Sequence, residues 1–64
     1  MFVAPDLRDA FIVALAAADR AAVVRLATHM TQAVNPLPGT VCEELGLPLG
    51  STYGAAARKI VANE

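Results

Sequence analysis

Asn35-Pro36-Leu37-Pro38-Gly39 is the segment that most narrows the folds open to this chain. Each proline lacks a backbone donor and biases its predecessor toward extended conformations. No helix or central strand runs through such a segment. It divides the chain into two halves joined by a rigid corner, and Leu37, held between the prolines, is expected to plug the core.

Both halves read as helical. After a short apolar lead-in over residues 1–4, Pro5 suits the first turn of a helix, and Asp6 and Asp9 favour that end electrostatically. The first helix is expected over residues 5–18. Leu7, Phe11, Ala14, Leu15 and Ala18 follow the spacing of a buried stripe. Ile12, Val13, Ala16 and Ala17 are apolar too but lie off it. A helix apolar nearly all round is central in its fold or lies at an interface. Ile12 and Val13 are therefore expected to line a self-association surface. Asp19 reads as a break and an N-cap, with a second helix over residues 20–34. Its buried stripe is Val23, Leu26, Ala27, Met30 and Val34, and its wetter strip Ala22, Arg25, His29 and Gln32.

The second half reads as helix, turn, helix. Thr40-x-x-Glu43 has the form of a capping box, and Gly46 suits a helix end that needs the left-handed conformation. Leu47, Pro48 and Leu49 make the turn, and Ser51 is the expected N-cap of a last helix over residues 51–62. Phe11, Leu15, Leu26, Met30, Leu45, Leu47 and Ile60 are expected to be buried together. The fold class is thus all-α: a small four-helix domain, its N-terminal helical hairpin packed on a C-terminal helix-turn-helix-like pair.

Sixty-four residues make a single domain, 1–64, and one with little surface to bury. The apolar fraction is 56%, but much of it is alanine, which buries little area. Homo-oligomerisation is a natural way for such a chain to bury more. Cys42 is the single cysteine, so no intramolecular disulfide staples the fold. No apolar run approaches a membrane span, and no basic region precedes the apolar N-terminal residues. The cytoplasm is the expected compartment.

Glu43-Glu44-Leu45-Gly46-Leu47-Pro48-Leu49-Gly50-Ser51-Thr52 resembles the corresponding segment of sigma-factor region 4 and related helix-turn-helix regulators. The small residue four before the turn glycine is Cys42. The apolar positions are Val41, Leu45 and Leu47, and Thr52 takes the β-branched position early in the second helix. The likeness covers residues 40–60. It implies a bacterial or phage-type transcription regulator whose last helix enters the major groove of DNA. Ser51, Tyr53 and Arg58 would then contact the DNA bases, Arg58 alone being able to grip a guanine in bidentate fashion. Lys59 and Arg25 would hold phosphates.

Charge opposes that implication. Five basic residues face six acidic ones, a formal net charge of −1, whereas phosphate neutralisation usually makes DNA-binding domains basic. The DNA-binding regulator is the leading reading, and the alternative, which a near-neutral, alanine-rich helical chain also suits, is a protein–protein adaptor of the death-like or effector-associated type found in bacterial defence and signalling. An exposed Tyr53 beside a positive patch at Arg58 and Lys59 would favour DNA. A buried Tyr53 with an apolar patch on the first helix would favour the adaptor.

No catalytic constellation is present, and the chain is not read as an enzyme. His29 lacks partners at zinc-ligand spacing, so no metal or other cofactor is expected. Cys42 lies beside Glu43 and Glu44, whose charges disfavour a thiolate. Glu43 and Glu44, as helix neighbours, do not face each other. Gly46, Gly50 and Gly54 recur every four residues as helix stops and starts, not as a phosphate loop.

Overall fold

The computed structural model describes residues 2–63. Four helices follow in order: α1, Pro5–Ala16; α2, Arg20–Thr28; α3, Gly39–Leu45; and α4, Tyr53–Ala62. The fold is all-α. Helix α2 packs against both α1 and α4.

Helix α1 begins at Pro5 with Asp6 in its first turn, as its sequence predicts. It ends two residues before the expected Ala18. Ala18 adopts φ 55°, the left-handed region, although it is not glycine. Around it the Ala18 N–H donates to the Leu15 carbonyl at 3.1 Å and the Asp19 N–H to the Ala14 carbonyl at 3.0 Å. This is the Schellman pattern of helix termination. Asp19 then caps α2, its Oδ1 accepting from the Ala22 N–H at 3.3 Å.

Helix α2 is much shorter than the expected 20–34 and stops at Thr28. The chain beyond it is claimed by another element. The Ala33 carbonyl accepts from the Gly54 N–H at 2.9 Å and the Asn35 carbonyl from the Tyr53 N–H at 2.9 Å. On the other side of an isolated antiparallel bridge between Pro36 and Thr52, the Leu37 N–H donates to the Ser51 carbonyl at 2.8 Å. Residues 33–37 therefore run extended against residues 51–54. Such long-range bonds outweigh the modest helix preference of a stretch containing Thr31, Val34 and Asn35. Asn35 also ties down the N-terminal lead-in, accepting from the Val3 N–H at 2.9 Å on its Oδ1.

Two expected caps move. Helix α3 starts at Gly39, with Pro38 in the N-cap position and no side-chain cap. The Pro38 carbonyl accepts from the Val41 and Cys42 N–H groups, so the chain turns before Thr40, which is left exposed inside the helix. Helix α4 is capped by Thr52, whose Oγ1 accepts from the Ala55 N–H at 3.1 Å, and not by Ser51. The bonds just described hold residues 51 and 52 outside the helix, delaying its start by two residues. Gly46, at φ 70°, closes α3 as expected, with the Leu47 N–H donating to the Cys42 carbonyl at 2.8 Å.

The core draws on every helix and on the corner. Phe11, Met30 and Cys42 are its largest fully buried side chains, with Ala14, Val23, Ala27, Ala33, Val41, Ala56 and Ala57 around them. Leu37 is buried between its prolines as predicted. Of the seven residues expected at the centre, only Phe11 and Met30 are fully enclosed; Leu15, Leu26, Leu45, Leu47 and Ile60 pack against the core while partly exposed. Val34, expected on the buried stripe of α2, is 50% exposed because the helix has ended before it. Five alanines share the centre with Phe11, Met30, Cys42 and Tyr53, while Leu15, Leu26, Leu45, Leu47 and Ile60 form its margin.

Candidate functional site

The C-terminal residues that a DNA reader would use are each engaged within the fold. Tyr53, the first residue of α4, is only 2% exposed. Its ring stands edge-on to Phe11, centroids 6.1 Å apart at an interplanar angle of 67°. Burial pushes its phenol above the ordinary value of 10.0; the Arg8 charge pulls it back and Asp9 adds to the rise. Ser51 turns away from α4 and donates from Oγ to the Pro48 carbonyl at 2.7 Å.

Arg58 and Lys59 lie exposed on α4, and both spend a donor on the ends of neighbouring segments. Arg58 Nη1 donates to the Thr31 carbonyl at 2.7 Å, bracing the chain just after α2. Lys59 Nζ donates to the Leu45 carbonyl at 2.7 Å, at the C-terminal end of α3, where a cation is favoured. Arg25 is exposed in the last turn of α2. Between α3 and α4 the connection runs from Gly46 to Thr52, against the three or four residues usual in a helix-turn-helix.

The two expected interface residues separate. Val13 is 66% exposed on α1 and is the one exposed large apolar residue in a helix among the described residues. Ile12 is half-buried and lines a cavity of about 290 Å³ between α1 and α3, with Leu15, Val41 and Glu44. The outer face of α1, one side of the helical wheel, carries Asp6, Asp9, Ala10, Val13, Ala16 and Ala17, all exposed.

A second feature has no counterpart in the sequence reading. An open groove of about 480 Å³ lies where the four helices meet. Leu15, Val23, Val24, Leu45 and Ile60 form its aliphatic lining, and Arg20, Lys59 and Asn63 supply polar groups. Arg20 Nη2 lies 3.5 Å from the Asn63 carbonyl, a long hydrogen bond. These residues come from four separate elements, so no local pattern announces them. The half-burial of Leu15, Val24, Leu45 and Ile60 is the same fact as the displacement of large aliphatics from the core centre.

No protein family, curated protein or solved structure matches the chain.

Among the described residues, no three His, Cys, Asp or Glu side chains are grouped to hold a metal ion. Cys42 is a buried free thiol, and His29 is exposed at the end of α2. No helix of the described residues is long and apolar enough to cross a membrane. Among the described residues the surface offers the α1 face with Val13 and an apolar groove with Arg20 and Lys59 in its lining.

Proposed function

We propose that this chain is a small helical protein-interaction module, an adaptor that docks through the outer face of α1. The observation that carries the reading is the exposed run Ala10, Val13, Ala16 and Ala17 on that face, with Val13 66% exposed. Small side chains let a partner element approach closely, and apolar surface on a stable helix is a natural contact. The burial of Tyr53 supports the same choice, since it removes from α4 the aromatic side chain a DNA reader would use.

One observation favours the second reading, DNA binding: Arg58 and Lys59 both stand exposed on α4. A mobility-shift titration on random-sequence duplex at low salt separates the two. The adaptor reading expects no shift at micromolar protein. A shift that weakens steeply with salt and is lost in Arg58→Ala establishes the DNA reading instead. The positive test is a photo-crosslinking amino acid at position 13, in cells of the protein's source. A discrete protein adduct there, absent when the crosslinker sits at exposed position 32, supports docking through α1. No adduct at either position refutes it.

A further inference from the structure

We propose that the protein associates with itself head to tail, the outer face of α1 of one copy seating in the four-helix groove of the next. The proposal rests on the reading of that α1 face as a docking surface and names its partner.

The two surfaces complement each other in charge, and both expose apolar side chains. The groove, about 480 Å³, has an aliphatic floor that includes Leu15, Val24 and Ile60, and among the described residues its charged lining is Arg20 and Lys59, with no carboxylate. The α1 face is the converse: its charges are Asp6 and Asp9, with no cation. The two aspartates lie three residues apart, hence neighbours on the helix surface. Beyond them the face holds only Ala10, Val13, Ala16 and Ala17. Asp9 already lies 4.0 Å from Arg8 Nε, a loose exposed pair that leaves its carboxylate free to meet a second cation.

A two-fold pairing of α1 on α1 fits less well. It brings together two faces that both lack a cation and leaves the groove uncovered. The head-to-tail contact gives each aspartate pair a basic rim and covers half-buried aliphatics at once. Such a contact uses different surfaces on the two copies, so it propagates into a ring or a filament unless something stops it. A formal net charge of −1 puts little repulsion in its way.

Sedimentation velocity on the wild type, Val13→Glu, Arg20→Glu and an equimolar mixture of the two variants tests this. Both positions are exposed, and circular dichroism checks that the variants fold; Arg20→Gln replaces Arg20→Glu if the latter does not. The wild type is expected to grow in mass with concentration, and each variant to weaken that growth by roughly tenfold or more. The mixture is expected to form a one-to-one pair and stop, because only one intact face and one intact groove remain. If Arg20→Glu associates like the wild type while Val13→Glu does not, the contact is α1 on α1 and the head-to-tail arrangement is wrong. A wild type that stays monomeric at hundreds of micromolar also overturns it. In that case a position-13 adduct with a different protein leaves the adaptor reading standing, and the absence of any adduct removes both.

Discussion

Gly54 is fixed in place by a backbone, not by its own conformation. A Cβ built there would lie 2.5 Å from the Ala33 carbonyl oxygen and 3.1 Å from that of Thr31. Those carbonyls belong to the segment held against α4, so they cannot swing away like a side-chain tip. Gly54→Ala gains up to about 1 kcal/mol of helix propensity but is expected to lose about 1–3 kcal/mol to overpacking, a net destabilisation in chemical denaturation. Gly39→Ala, whose Cβ would meet only Leu49 Cδ2 at 3.5 Å, is the tolerated control. The caps give a second pair. Thr52→Ala is expected to cost about 1 kcal/mol, and Thr40→Ala to stay within about 0.5 kcal/mol of the parent, as for an ordinary surface change. The reverse order would restore Thr40 as the cap of α3. Tyr53 gives a third. Its phenol ionises at higher pH folded than unfolded, so the unfolded state sheds its proton first as pH rises. Stability is thus full below the ordinary value of 10.0 and declines as pH climbs from there toward the folded value. With one tyrosine and no tryptophan, phenolate absorbance reads this group alone. Tyr53→Phe should remove its share of the alkaline loss.

At the scale of the element, α4 is positioned by a connector and not only by a neighbouring helix. The bonds from Leu37 to Ser51, Tyr53 to Asn35 and Gly54 to Ala33 form a short extended seam between the two halves. Met30 and Ala33, both buried, anchor the connector from below. Met30→Ala is accordingly expected to cost roughly 2–5 kcal/mol, and Leu26→Ala clearly less, although Leu26 is the helical residue of the two. Leu26 is only partly buried. Equal melting midpoints for these variants would show that the connector is not part of the cooperative core. The helix boundaries follow the same logic. α1, the Asp19 cap and the Gly46 stop are visible in local sequence because their bonds are made within a few residues. The end of α2 at Thr28 is not, because its cause is the entry to α4 more than twenty residues away.

At the scale of the whole molecule, the protein is small, with principal extents of 25 × 23 × 20 Å. Among the described residues, five of the thirteen buried apolar ones are alanines, and several of the larger aliphatics, Leu15, Val24, Leu45 and Ile60, face a groove. A chain of this size is marginally stable by itself, and any contact made only by the folded state adds to that stability. If copies associate through the groove, the midpoint of thermal unfolding should rise with protein concentration, and Arg20→Glu should flatten that dependence. A midpoint independent of concentration in the wild type would place the fold's stability wholly within one chain.

The all-α class, the start of α1, the caps at Asp19 and Gly46 and the burial of Leu37 follow from the amino-acid sequence by itself. Each depends on the conformational limits of a few adjacent residues: proline without a donor, glycine at positive φ, aspartate beside an open N–H. Val13 also stood out in sequence as an apolar residue off the buried stripe. Tertiary structure decided the rest. The seam between residues 33–37 and 51–54 ended α2 early, moved a cap from Ser51 to Thr52 and closed the space beside Gly54. It left Tyr53 against Phe11, a fate that neither a helix wheel nor a motif reveals, because an amphipathic residue at a helix start suits either surface or core. The groove with Arg20 and Lys59 at its edge arose only when four elements met, since which aliphatics stay half-covered depends on how closely alanine lets the helices approach.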